Sequence, residues 1–150
     1  MLNWLINLLS SKIEPKQELS FGTISSVEIE NFFPSEQDGI TIKLFNNKVT
    51  VNDYNYKLPT KKQIADFLTL DSTNNYKYIM DEFDCDDFAI ILHGKLRERF
   101  VNFAIGYAQS STHSFNFFID EKKKLWLIEP QTDKIFTTKD TRYKIEMVLI

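Results

Sequence analysis

The chain has 150 residues, 43% of them hydrophobic and 14% aromatic, enough to bury a real core and too apolar for intrinsic disorder. A net charge of −3 with scattered basic residues excludes a global attraction to nucleic acid or to an anionic membrane surface. One cysteine excludes an internal disulfide, and four glycines with four prolines argue against linkers and repeats, so a single domain over 1–150 is expected.

Met1 to Leu9 is apolar apart from Asn3 and Asn7. It lacks the charged region and cleavage site of a signal peptide and is too short to span a bilayer, which predicts a cytoplasmic protein with no clear membrane association. Leu2, Leu5, Ile6, Leu9 and Ile13 recur at helical spacing and predict a short helix over about 2–13 docked on the core. An interfacial anchor or a partner-binding helix is the alternative. Glu14 to Glu18, with Pro15, ends it.

Ile24 to Ile29 and Ile40 to Phe45 are rich in β-branched and aromatic residues and read as strands. Asn46-Asn47 then predicts a tight hairpin turn into Val49 to Val51, giving a small antiparallel sheet. Thr60 with Gln63 three residues later is a capping-box signature, which places a helix at about Lys61 to Leu70. Phe88, Ala89, Leu92, Leu96 and Phe100 share one helical face with Cys85, which predicts a helix of about sixteen residues with Cys85 in its first turn and Asp84 as its cap. From Phe103 the period shortens. Phe103–Ala108, His113–Ile119, Lys124–Glu129, Lys134–Thr137 and Tyr143–Leu149 read as successive strands, an α+β layout with a central helix packed on an antiparallel sheet.

The chemistry concentrates at Asp81-Glu82-Phe83-Asp84-Cys85-Asp86-Asp87-Phe88, where the only cysteine stands among five carboxylates. Neighbouring anions disfavour a thiolate, so either Cys85 is a bystander or the carboxylates hold a cation. Oxygen ligands suit calcium or, less well, manganese, although no EF-hand spacing is present. A zinc site on Cys85 and the two histidines lacks any usual ligand spacing. In the predicted hairpin around Asp120 to Lys123, strand alternation puts His113 and Glu129 on one face, opposite each other or on a diagonal. A lone cysteine is more often a small buried hydrophobe, and a lone histidine a satisfied strand end. Their joint placement with Glu129 at one end of two packed elements is what a nucleophile, a base and its orienting carboxylate require.

Asp84-Cys85-Asp86-Asp87-Phe88-Ala89, His113-Ser114-Phe115-Asn116 and Ile128-Glu129-Pro130-Gln131-Thr132 resemble the papain-like domains of the Marasmius oreades agglutinin family of lectin-related proteins. The resemblance implies a papain-like cysteine protease fold activated by calcium, with Cys85, His113 and Glu129 catalytic. Asp84, Asp86 and Asp87 would be the cation ligands, with Gln131 a further ligand or a polar support. That family joins the domain to a sugar-binding trefoil, for which 150 residues leave no room, so lectin activity is not expected. Papain-like enzymes often carry a Gln about six residues before the cysteine, where this chain has Ile79, which leaves Asn75, Asn74 or backbone as the oxyanion donor.

These readings converge on a calcium-dependent cysteine hydrolase, a peptidase or amidase acting on a peptide or protein substrate. A transglutaminase-like acyl transferase needs the same trio. The contrasting alternative is a non-catalytic papain-like binding or interaction module with a structural metal site, or an accessory protein docked through Met1 to Leu9.

Overall fold

A computed structural model of the chain describes residues 21–33, 36–37, 40–41, 48–137 and 145–150. The expected helix over 2–13 and the Asn46-Asn47 turn lie outside these residues. Strand β1 (Thr23–Ser25) runs into helix α1 (Ser26–Phe32), and the short strands β2 (Glu36–Gln37), β3 (Ile40–Thr41), β4 (Lys48–Thr50) and β5 (Asn55–Lys57) follow. Helix α2 (Lys61–Leu68), a 3-10 turn (Thr73–Asn75) and helix α3 (Cys85–Arg99) precede β6 (Ile105–Gln109), β7 (Ser114–Ile119), β8 (Leu125–Glu129), β9 (Lys134–Phe136) and β10 (Met147–Leu149).

The first correction concerns Ile24 to Ile29, expected as a strand. Only Thr23–Ser25 is extended, pairing antiparallel with β5. Ser25 then caps α1: Glu28 donates its backbone N–H to Ser25 Oγ at 3.2 Å, and Ser25 N–H donates to Glu28 Oε2 at 2.9 Å. A reciprocal capping box overrides the β-branched propensity of Val27 and Ile29. By contrast α2 forms where Thr60 and Gln63 predict it, with the reciprocal bonds at 3.0 and 2.8 Å.

The second correction concerns the sheet. Its six strands run in the order β4-β10-β6-β7-β8-β9, and β4 joins β10 in parallel, so the sheet is mixed rather than antiparallel. Val49 thus pairs with Val148, almost a hundred positions away in sequence, where an antiparallel hairpin partner was expected. The remaining pairings are antiparallel.

Alternation along β7 and β8 divides the core between the two faces of this sheet. Phe115, Phe117, Ile119, Leu125 and Leu127 pack with Ile24, Ile29 and Tyr56 of the α1 side. Phe118 and Ile128 pack with Ile64 and Leu68 of α2 and with Leu92 and Leu96 of α3. The Tyr56 hydroxyl accepts from the backbone N–H groups of Asn52 and Asp53 at 3.0 and 2.8 Å and donates to the Ile150 carbonyl at 3.1 Å, which closes the chain end onto β5. In β6, Gly106 has no room for a side chain: a Cβ would collide with the Leu149 carbonyl and the Phe117 ring.

What fixes α3 over the strand that follows the candidate histidine is Asn116. It is fully buried, and its Nδ2 donates to the Ala89 carbonyl at 2.9 Å, reaching from β7 into the second turn of the helix. An amide buried in this way contributes only while that bond is made, so the pairing sets the helix's depth along the strand.

Candidate functional site

The N-terminus of α3 is shaped by its acidic neighbours. Asp84 is the cap, in an extended conformation, with its Oδ1 accepting the Asp86 N–H at 3.4 Å. Asp87 Oδ2 accepts the Asp84 N–H at 3.0 Å, so this carboxylate serves the helix end. Before the cap, the Ile79–Phe83 knuckle closes with Phe83 N–H to Ile79 O at 2.8 Å and Ile79 N–H to Phe83 O at 2.9 Å, and Asp81 takes a positive φ of 62° at its tip. Phe83 and Phe88 meet edge to face at 5.1 Å, and Tyr76 meets Phe83 at 5.4 Å, which anchors the knuckle to the helix.

Asp84, Cys85 and Asp86 offer ligand atoms that all lie within 4.8 Å of one another. The interaction between the two carboxyls lowers the pKa of Asp84 and raises that of Asp86. Cys85 is half-buried. Burial is the main cause that pushes its thiol above the ordinary value; the Ser114 backbone opposes this, and the Asp84 and Asp86 charges add to the rise. The thiol is therefore held in its neutral form.

Two tyrosines complete this end, and neither was singled out by sequence reasoning. Tyr78 is 48% exposed, and its phenol is raised by desolvation and then by the charges of Asp84, Cys85 and Asp81. Tyr107, buried in β6, bonds Ser114 Oγ through its hydroxyl at 2.9 Å and is raised by burial, with Asp86 and Cys85 among the charges that reach it. Tyr78 lies outside any periodic segment, and Tyr107 falls within the predicted strand Phe103–Ala108 with nothing to set it apart. The only available signal was the nearness of Tyr78 to the acidic run.

At the ends of β7 and β8 the expected histidine–carboxylate pair is present. His113 Nε2 and Glu129 Oε2 are 2.7 Å apart, with both side chains mostly buried. The register pairs Asn116 with Ile128, so one step further Glu129 falls beside Phe115 and His113 lies on the diagonal, as alternation predicts. Ser110 holds the turn, with its Oγ accepting the His113 N–H at 3.0 Å. Glu129 Oε1 accepts the Gln131 N–H at 3.3 Å. Cys85 reaches the backbone of Ser114, the residue after His113.

Asn75 is exposed in the 3-10 turn, with its N–H bonded to the Ser72 carbonyl at 3.1 Å. Asn74 is turned toward the β8–β9 connection, donating from Nδ2 to Asp133 Oδ2 at 2.6 Å. Asp87 and Gln131 engage backbone partners within this region, and the convergent group is Asp84, Cys85 and Asp86. Two carboxylates fit a hard cation, whereas the thiol beside them does not, and calcium needs six to eight oxygens. Asp84 and Asp86 would hold such an ion, the rest of its shell coming from water or carbonyls. Among the described residues no helix is long and apolar enough to cross a membrane.

No protein-family model and no curated protein matches the chain. The solved structures that share its fold include the following two. One, titled PSL1a–E64 complex, is 20% identical with a TM-score of 0.66, covering 85% of this chain and 50% of its own. The other, the Polyporus squamosus lectin bound to the human-type influenza-binding epitope Neu5Aca2-6Galb1-4GlcNAc, is 22% identical with a TM-score of 0.58, covering 72% of this chain and 43% of its own. The chain thus spans about half the length of the structures it matches. The lectin-related resemblance read from the three motifs agrees with these neighbours. The function read from the same motifs is corrected by them: a fold does not bring its chemistry with it, and this one is carried by a lectin with a glycan bound. The expectation of a calcium-dependent cysteine hydrolase acting on peptides is accordingly withdrawn.

Proposed function

We propose that this chain is a non-catalytic binding module of papain-like architecture, with its ligand site where the N-terminus of α3 meets the ends of β7 and β8. The papain-like reading is supported by the layout: a cysteine at the head of a helix packed on a sheet, beside a histidine–glutamate pair on adjacent strands. The ligand class is a neutral glycan or a similar polyhydroxyl compound.

The observation that carries the reading is Tyr78, half-exposed beside the acidic run, with its phenol raised first by desolvation and then by the charges of Asp84, Cys85 and Asp81. A sugar presents hydroxyl pairs and an apolar C–H face. Carboxylates accept hydrogen bonds from the first, and an amphipathic aromatic ring covers the second. Glu129 and His113 supply a further acceptor and donor at the rim, and the neutral Cys85 thiol is a small, weakly polar floor. The named lectin neighbour supports carbohydrate as the ligand class. The acidic rim disfavours an anionic sugar, so this chain would prefer neutral glycans to a sialylated one. A calcium ion on Asp84 and Asp86 would have a structural role, holding the two carboxylates together and fixing the rim.

The test is a calorimetric titration of neutral and sialylated oligosaccharides into the chain and its Tyr78→Ala variant. Saturable binding of a neutral glycan that Tyr78→Ala weakens at least tenfold is expected. Binding indifferent to Tyr78, or a preference for sialylated ligands, would refute the site.

A further inference from the structure

The candidate site has two halves on different elements: the head of α3 carries Asp84, Cys85 and Asp86, and the ends of β7 and β8 carry His113 and Glu129. Asn116 ties helix to strand from within, through the Ala89 carbonyl. A second tie runs outside the core, through residues that have no part in the site described above. On α3, Lys95 Nζ lies 2.9 Å from Asp71 Oδ1 and donates to Thr73 Oγ1 at 3.0 Å. The Asp71 side chain is only 3% exposed, Thr73 is fully buried, and Asp71 Oδ2 accepts the Thr73 N–H at 2.7 Å, so the 3-10 turn Thr73–Asn75 is held against the helix. From that turn Asn74 donates across the chain to Asp133 Oδ2 at 2.6 Å.

Asp133 belongs to the turn that follows Glu129, and it takes a left-handed φ of 58°, a conformation that Asp and Asn tolerate better than other side chains but that still needs holding. Within the same turn the Thr132 N–H closes onto the Glu129 carbonyl at 3.2 Å, and the Gln131 N–H bonds Glu129 Oε1 at 3.3 Å. The other oxygen of that carboxylate, Oε2, meets His113 Nε2 at 2.7 Å. The direction of the Glu129 carboxylate is thus set by its turn, and the turn is fastened to α3 through Asn74. The buried Oδ1 atoms of Asn74 and Asp133 have no other partner among the described residues, so losing the bond between the two side chains leaves both without compensation. We infer that Asn74 and Asp133 are positioning residues for the Glu129–His113 pair, fixing that half of the site relative to the head of α3. The effect on ligand binding rests on the site proposed above; the brace itself rests on the hydrogen bonds alone.

Nuclear magnetic resonance of the full chain tests the brace without any ligand. Asn74→Ala is expected to speed amide exchange at Gln131 and Thr132 at least fivefold and to shift the His113 ring signals, while the amides of β6 and β7 keep their protection. Exchanging the partners, Asn74→Asp together with Asp133→Asn, keeps one amide donor facing one carboxylate and places Asn at the left-handed position, so it should restore both readouts. In calorimetric titration with a neutral oligosaccharide, Asn74→Ala should weaken binding about fivefold and the exchanged pair should recover it. Turn amides and His113 signals unchanged in Asn74→Ala would overturn the inference, as would an exchanged pair that restores neither. Equal affinity in Asn74→Ala and the unmodified chain would also overturn it, leaving the bond a purely structural contact. Should the unmodified chain bind no oligosaccharide, the site proposed above fails by itself, and the exchange rates and His113 signals still decide the brace.

Discussion

Cys85 illustrates how a single residue's surroundings decide its chemistry. Burial and the flanking Asp84 and Asp86 charges keep its thiol protonated, and the backbone at Ser114 and at Cys85 itself works the other way. Alkylation by iodoacetamide at neutral pH should therefore be slow and should accelerate only above the pH at which an ordinary thiol ionises. Asp84→Asn removes one of the opposing charges and should shift that acceleration to lower pH, several-fold faster at a fixed pH. A rate already at its plateau at neutral pH would contradict the neutral-thiol description. His113 and Glu129 were legible in the sequence because a period of two and one hairpin centre suffice to put them on a diagonal. Tyr78 was not, since it stands just before the Ile79–Phe83 knuckle, and no periodicity reports such a loop.

At the level of elements, the caps are what tie local sequence to structure. Asp84 serves both as the cap of α3 and as one of the carboxyls paired at its end, and two substitutions separate these roles. Asp84→Ala should cost about 1 kcal/mol of stability in urea unfolding through the lost cap, whereas Asp84→Ser keeps a capping oxygen and should cost much less. If the cluster takes calcium, both variants lose the rise in melting temperature that calcium, compared with chelator, gives the unmodified chain. A Ser variant that retains the full calcium response would remove Asp84 from the ligand set. The same caps explain what could be read in advance. Thr60–Gln63 and Asp84 announced α2 and α3. Ser25–Glu28 announced α1 just as clearly, and was masked by the β-branched residues around it. The β4–β10 pairing carries no such local signal, because a parallel partner is chosen by packing across the whole chain.

For the whole molecule, stability should depend on pH through groups buried between elements. His93 on α3 is held below the ordinary histidine value, chiefly by burial and then by the Arg97 charge, against a backbone bond to Ile105. Above about pH 6.5 folded and unfolded chains both carry it neutral and it has no effect. Below that, the unfolded chain takes up a proton that the folded chain refuses, so stability falls as pH falls toward the folded value. His93→Gln should flatten the urea midpoint between pH 7 and 5, and an unchanged slope would show that another group is responsible. Asp71 acts further down: although burial opposes it, bonds from Thr73 and Lys95 keep its pKa low, and the stability they give is lost as pH falls below the ordinary carboxylate value.

The account stands or falls on whether this fold binds rather than cleaves. A calorimetric titration with a neutral oligosaccharide is the most direct measurement: saturable heat from the unmodified chain, retained in Cys85→Ala and largely lost in Tyr78→Ala, is the predicted result. No saturable heat with any glycan, or heat of a continuing reaction on added peptide that calcium turns on and Cys85→Ala abolishes, would contradict it.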